Sequence, residues 1–140
     1  MSEFLIIHQL NANQIEQLHD LFKQAWWTKN RSSEEISTML NLSMSFGVIE
    51  SDTKNLVGYA RVLTDEIKYA FIFDVMLLDR HRGKGLGKMV MDAIIAHPRL
   101  KNVQCFELTC APDMVTFYEQ FGFSENYGDE VRPMRFRRNI

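Results

Sequence analysis

The residue types best suited to chemistry lie together in Asp79-Arg80-His81-Arg82-Gly83-Lys84-Gly85-Leu86-Gly87-Lys88. An apolar run, Phe71-Ile72-Phe73 through Val75-Met76-Leu77-Leu78, precedes this stretch. After it, apolar residues recur at Leu86, Met89, Val90, Ala93, Ile94 and His97, the stripe of an amphipathic helix. The order is therefore strand, glycine-rich basic turn, helix. Such a turn aims unpaired backbone N–H groups outward at a helix N-terminus, with the positive end of the dipole behind them. Glycine at alternate positions lets a bulky anion approach those amides, and Arg80, Arg82, Lys84 and Lys88 add mobile positive charge. The chemistry predicted is capture of a phosphate or pyrophosphate.

The elements that must hold this turn are legible from periodicity. Phe4–Leu10 reads as a strand, and Asn11 or Asn13 caps a helix carrying Ile15, Leu18, Leu21, Phe22 and Ala25. Trp26 to Arg31 breaks the period. Ser32 and Glu35 form a capping box for a second helix with Ile36, Met39 and Leu40 inward. Strands follow at Phe46–Glu50, Leu56–Leu63 and Tyr69–Leu78, joined by short turns into an antiparallel meander. The helix after the glycine turn ends at His97-Pro98, because a residue before proline is pushed from helical geometry. Val103–Thr109 is the next strand, parallel to Tyr69–Leu78 through a right-handed crossover. A helix with Met114, Phe117, Tyr118 and Phe121 then stops at Gly122, and Phe123–Tyr127 with Val131–Phe136 reads as a closing hairpin. The expectation is a mixed α/β (α+β) fold: a mostly antiparallel sheet of six or seven strands with about four helices.

With 140 residues, 46% hydrophobic and 24% charged, the chain reads as one domain over residues 1–140. A net charge of −2 disfavours nucleic acid as a bulk partner. Neither a signal peptide nor a membrane-length apolar run is recognisable, so the expected compartment is the cytoplasm, with no membrane partner. Cys105 and Cys110 read as core fillers rather than nucleophiles or a disulfide. His8, His19 and His97 have no metal-ligand spacing, no metal is expected, and His81 reads as a solvated neighbour of the turn.

Three phosphate-binding patterns compete for the glycine turn. A nucleotide P-loop fails because Met89 follows Gly87-Lys88 and Arg82 stands where the first glycine belongs. A dinucleotide fingerprint fits poorly: the glycines fall at 83, 85 and 87, after a strand of an antiparallel meander. The pattern Arg/Gln-x-x-Gly-x-Gly/Ala is met by Arg80, Gly83 and Gly85, and again by Arg82, Gly85 and Gly87. Further on come a strand and then Phe117-Tyr118-Glu119-Gln120-Phe121-Gly122-Phe123. On these two motifs the chain resembles the GNAT superfamily of N-acetyltransferases over essentially its full length.

The resemblance implies acetyl-coenzyme A as co-substrate, its pyrophosphate on the turn Arg82, Gly83, Lys84, Gly85, Leu86, Gly87 and Lys88. It implies that the pantetheine arm adds like a strand along Val75, Met76 and Leu77, where the strand ending at Leu78 splays from the one ending near Thr109. It places Tyr118 as the acid for the departing thiolate, and Trp26, Trp27 and Arg31 in the acceptor wall. Asp74 has two readings, a base or ammonium-attracting group and a carboxylate paired with Arg61. Ala111 and Met114 replace the Asn and small Ala common in relatives, which puts the pantetheine contacts of that loop in doubt. The implied function is acetyl transfer to a primary amine of a small molecule or an exposed protein amine by direct attack in a ternary complex. The alternative is a non-catalytic acyl-coenzyme A sensor or partner-binding module. A homodimer is compatible with the edge strands.

Overall fold

The computed structural model describes residues 3–138, and the chain forms two compact units, Met1–Leu108 and Thr109–Ile140. The first unit contains β1 (Phe4–Ile7), α1 (Ala12–Phe22), α2 (Ser33–Leu42), β2 (Met44–Glu50), β3 (Leu56–Thr64), β4 (Tyr69–Leu77), α3 (Leu86–Ala96) and β5 (Cys105–Glu107). Strand order follows chain order, β1-β2-β3-β4-β5. The first four strands are antiparallel neighbours, and β5 joins β4 in parallel after the α3 crossover.

Local chemistry explains most boundaries. Asn11 starts α1 through a reciprocal capping box with Gln14, and Ser32 starts α2 through one with Glu35. Buried Gln14 also donates to the Lys54 carbonyl, tying α1 to the β2–β3 turn. One apolar cluster gathers Leu18, Leu21 and Phe22 of α1, Ile36 of α2, and Ile49, Leu56, Tyr59 and Met76 of the sheet. Alternation along β2 sends Phe46 and Val48 to the other face, and α3 packs Leu86, Val90, Met91 and Ile94 against β2, β3 and β4.

The second unit holds α4 (Val115–Glu119), entered through a 3-10 turn at Pro112–Met114. Gly122 takes a left-handed φ of 95° and ends the helical segment. The expected closing hairpin does not form, so the sheet has five strands rather than six or seven. Local turns take its amides instead: Asn126 N–H donates to Ser124 Oγ at 3.0 Å, and Gly128 N–H to Asn126 Oδ1 at 2.9 Å. Pro133 has no N–H to offer a ladder. Among the described residues no helix is long and apolar enough to cross a membrane. Both cysteines are free and exposed, against the expectation of core positions.

His81 is also corrected. It is only 5% exposed, with its ring edge-on to Phe4 and Nε2 3.9 Å from the Glu50 carboxylate. Among the described residues its buried Nδ1 has no hydrogen-bond partner. The solvated reading failed because the segment Asp79–His81 coils into a 3-10 turn that folds this one ring back against Phe4 and toward Glu50. Burial first, then the nearby Lys84 ammonium, lowers the His81 pKa, with Glu50 opposing.

Gly58 faces Leu77, and a β-carbon there would lie 2.6 Å from Leu77 Cδ2 and 3.2 Å from the Met76 carbonyl oxygen. We expect Gly58→Ala to destabilise the protein by about 1–3 kcal/mol in urea titration, since the contact includes backbone of β4. A second prediction concerns acid. Below the ordinary histidine value of about 6.5 the unfolded chain binds a proton that buried His81 refuses, so stability falls as pH drops through that value. His81→Gln should flatten this slope in thermal melts between pH 5 and 7, leaving the share from His97, whose pKa burial also lowers.

Candidate active site

β4 carries the feature from which the site is built. Its parallel ladder to β5 covers only Tyr69, Ala70 and Phe71 against Cys105, Phe106 and Glu107. From Ile72 to Leu77 the strand continues with β3 alone as its strand partner. The expected splay is therefore present, and it explains why β5 is shorter than the predicted Val103–Thr109 segment. Between Arg61↔Phe73 and Tyr59↔Met76 the register slips by a residue, a β-bulge at Asp74–Val75. Asp74 adopts φ 58°, a left-handed conformation that L-residues reach at a cost and aspartate reaches more readily than most.

The Asp74 carboxylate is held by two arginines. Arg31 donates from both terminal nitrogens, Nη1 to Oδ2 at 2.7 Å and Nη2 to Oδ1 at 3.0 Å. Arg61 Nε donates to Oδ2 at 2.7 Å. The Asp74 side chain is 3% exposed, Arg31 19% and Arg61 13%. Each guanidinium also lies over an aromatic ring, Arg31 over Phe22 at 4.9 Å and Arg61 over Phe73 at 5.0 Å. The pairing of Asp74 with Arg61 is present, and Arg31 joins it. No sequence spacing connects Arg31 to Asp74; only the fold brings them together. Next to this triad, Tyr59 donates to or accepts from Ser45 Oγ at 2.8 Å, and burial pushes its pKa up to about 12.

Arg31 closes the segment between α1 and α2. Buried Thr28 donates its hydroxyl to the Phe22 carbonyl at the end of α1. Between these two anchors stand Trp26, 73% exposed, and Trp27, 49% exposed, with rings edge-to-face at 5.8 Å.

The glycine turn lies beyond the end of β4. Gly83 and Gly85 take φ of 77° and 79°, and a β-carbon at either would meet nothing within 4 Å. Backbone conformation, rather than crowding, therefore requires glycine there. Gly85 is the N-cap of α3 without a side-chain cap, and Met89 N–H is the first to close on it, at 3.1 Å. Among the described residues the amides from Gly83 to Lys88 donate to no protein acceptor. Leu86 is buried and roots the loop, while Arg82, Lys84 and Lys88 are exposed. Two of these cations have local partners: Arg82 meets Asp79 at 3.2 Å, and Lys88 meets Asp92 at 2.6 Å. A set of open amides with exposed cations around it fits a diphosphate. Among the described residues no cluster of three or more His, Cys, Asp or Glu is arranged for a metal ion.

Tyr118 belongs to the second unit, on α4, with its ring edge-on to Phe117 and Phe123. It is 7% exposed, and burial, with a smaller contribution from Cys110, pushes its phenol up to about 12.

The Acetyltransferase (GNAT) family profile matches residues 12–123, a stretch that runs across the boundary between the two units. Curated relatives include the uncharacterized N-acetyltransferase ycf52 of Pyropia yezoensis, 32% identical over 116 residues that cover 81% of this chain and 65% of that protein. Serotonin N-acetyltransferase 2, chloroplastic, of Oryza sativa is 35% identical over 83 residues, covering 59% of this chain and 41% of its own. The chain thus spans about 65% of the length of the ycf52 relative. Among solved structures, a GNAT-family protein of Xanthomonas campestris superposes with a TM-score of 0.83 at 26% identity, covering 98% of this chain and 95% of that one. The aminoglycoside N-acetyltransferase AAC(6')-Iy, solved in complex with CoA, shares the fold with a TM-score of 0.66 at 16% identity, over 100% of this chain and 97% of its own. The family match, the splayed fourth strand and the open glycine turn agree: this chain belongs to the GNAT acetyltransferase family.

Proposed function

We propose that the protein transfers the acetyl group of acetyl-coenzyme A to a primary amine, of a small molecule or an exposed protein side chain, by direct attack in a ternary complex. The observation that carries this reading is the pairing of two open backbone features in one unit. One is the β4 edge beyond Phe71, and the other is the row of uncommitted amides from Gly83 to Lys88. Bound acetyl-coenzyme A would supply an activated thioester. Residues 83–88 would hold its diphosphate, and Val75, Met76 and Leu77 would present main-chain groups to the pantetheine arm and to the oxyanion. The family match across both units supports treating residues 1–140 as one acetyltransferase domain.

Attack needs a neutral amine, and reaching that form at pH 7 from a pKa of roughly 10.4 costs on the order of 4–5 kcal/mol. We assign Tyr118 to the departing sulfur. With its phenol near 12 it keeps its proton across the physiological range. An ordinary thiol, near 8.5, is the stronger acid, so full proton donation by the buried phenol runs uphill. Tyr118 therefore serves as a hydrogen-bond donor to the developing thiolate, and the proton that finally neutralises the sulfur comes from the attacking nitrogen. This revises the simple match of phenol to thiol that an unshifted tyrosine would give. The exposed Trp26–Trp27 pair supports an acceptor with an apolar or aromatic body, in keeping with the serotonin-acetylating relative. Free Cys105 and Cys110 suit a reducing compartment such as the cytoplasm.

The test is an amine-array screen that monitors thiol release from acetyl-coenzyme A. Saturable donor binding without product from any amine would favour a non-catalytic acyl-coenzyme A sensor. Once an acceptor is found, Tyr118→Phe should lower kcat by about 10²–10³-fold while donor affinity, measured by calorimetry, is retained. The rate at subsaturating acceptor should climb with pH as the amine deprotonates. No descending limb from Tyr118 should enter below about pH 11, because a group near 12 remains protonated there. A descending limb well below pH 11 that Tyr118→Phe abolishes would instead make Tyr118 the proton donor to the thiolate and overturn its role as a hydrogen-bond donor only.

A further inference from the structure

Resting on that reading, we propose that Asp74 is a positioning residue rather than the base: with Arg31 and Arg61 it clamps the tryptophan loop onto the bulge of β4, and so fixes the acceptor wall against the donor strand. The lone pairs a base would use already accept three charge-assisted hydrogen bonds from two guanidinium groups. A proton on that carboxylate would leave two largely buried cations without their shared anion.

Apart from its own turns, buried Thr28 and Ala25, which packs against the apolar cluster, the loop is tied to the sheet by this fork. Residues 23–31 form successive turns, Lys29 N–H to the Ala25 carbonyl and Arg31 N–H to the Thr28 carbonyl among them. Their exposed tryptophans contribute little burial of their own. Thr28 fastens the near end to α1, and the Arg31 fork fastens the far end to β4. Arg61 completes the assembly from β3 and reaches on to Ser43 Oγ at 3.2 Å, beyond the end of α2. The carboxylate therefore joins the α1–α2 segment to β3 and β4, and through Arg61 to the junction of α2 with β2. It does so from the one left-handed residue within β4, immediately before Val75. The conformation that re-aims the strand also places this side chain where both arginines reach it.

The two tryptophans of the chain both stand on this loop, so fluorescence excited where tyrosine does not absorb reports on it alone. Arg31→Met should lower the steady-state anisotropy of that fluorescence about 1.5-fold, whether or not an acceptor is known, because a loop freed at one end reorients faster. Acetyl-coenzyme A affinity should stay within about two-fold. With an amine that turns over, acceptor KM should rise on the order of ten-fold while kcat changes less, the pattern of lost ground-state positioning. Asp74→Asn, which tolerates the left-handed backbone, should show the same split and keep the shape of the pH–rate profile. Should Arg31→Met fail to fold in a thermal melt, Arg31→Lys keeps the charge, loses the fork and should give the same direction. Unchanged anisotropy, or a donor affinity that falls in step with acceptor KM, would overturn the clamp. A pH profile that loses its acidic limb in Asp74→Asn would restore Asp74 as the base. Failure of every amine in the array would count against the acetyltransferase reading, while the anisotropy result would still decide the loop's attachment.

Discussion

A single left-handed residue in the middle of a strand is the constraint on which the site depends. β4 must pair with β3 along its whole length, yet part from β5 halfway. A flat ladder cannot do both. Setting Asp74 at φ 58° adds a residue to β4 opposite Ala60 and bends the strand, so the β3 ladder resumes at Met76 while the β5 ladder has already stopped. An aspartate in that conformation costs on the order of 1 kcal/mol, and the surrounding hydrogen bonds and burial offset it.

What is gained is backbone polarity without a protein partner. In most folds an open strand edge or an uncapped helix start is a liability that water or a side chain must satisfy. Here both occur in one unit, one at each side of the turn that follows β4. The buried residues beneath them, Leu86 under the loop and Met76 under the edge, keep these backbone groups rigid while leaving them outward. Rigidity matters because amides already in place need no ordering when an anion arrives.

Much of this was legible in the amino-acid string. A helix cap at Asn11 or Asn13, the Ser32 capping box, the meander, the parallel crossover and the glycine turn all rest on local chemistry or short-range period, and all are present, with Asn11 the cap. The misses have a common cause. Burial of His81, the Arg31–Asp74 fork and exposure of both cysteines depend on contacts between distant segments, which no window of residues reveals. The C-terminal hairpin was misread for the opposite reason. Met134 and Phe136, alternating with Arg135 and Arg137, look like a strand, but local turns at Asn126 and Gly128 and the missing donor of Pro133 leave no ladder. A phenol shifted to about 12 was equally out of reach, since its cause is burial rather than sequence.

The sheet order has a consequence for how the molecule is made. Because every strand lies beside the one before it in the chain, the sheet grows by accretion at a single front. A nascent chain can seat each strand on a finished template without waiting for distant residues, a route with small loop-closure cost. The one delayed step is β5, which must await the α3 crossover. Until it arrives β4 is the growing edge, and the bulge at Asp74 interrupts the flat ladder that a long stray strand from a neighbouring molecule would need, while the short stretch beyond it stays open.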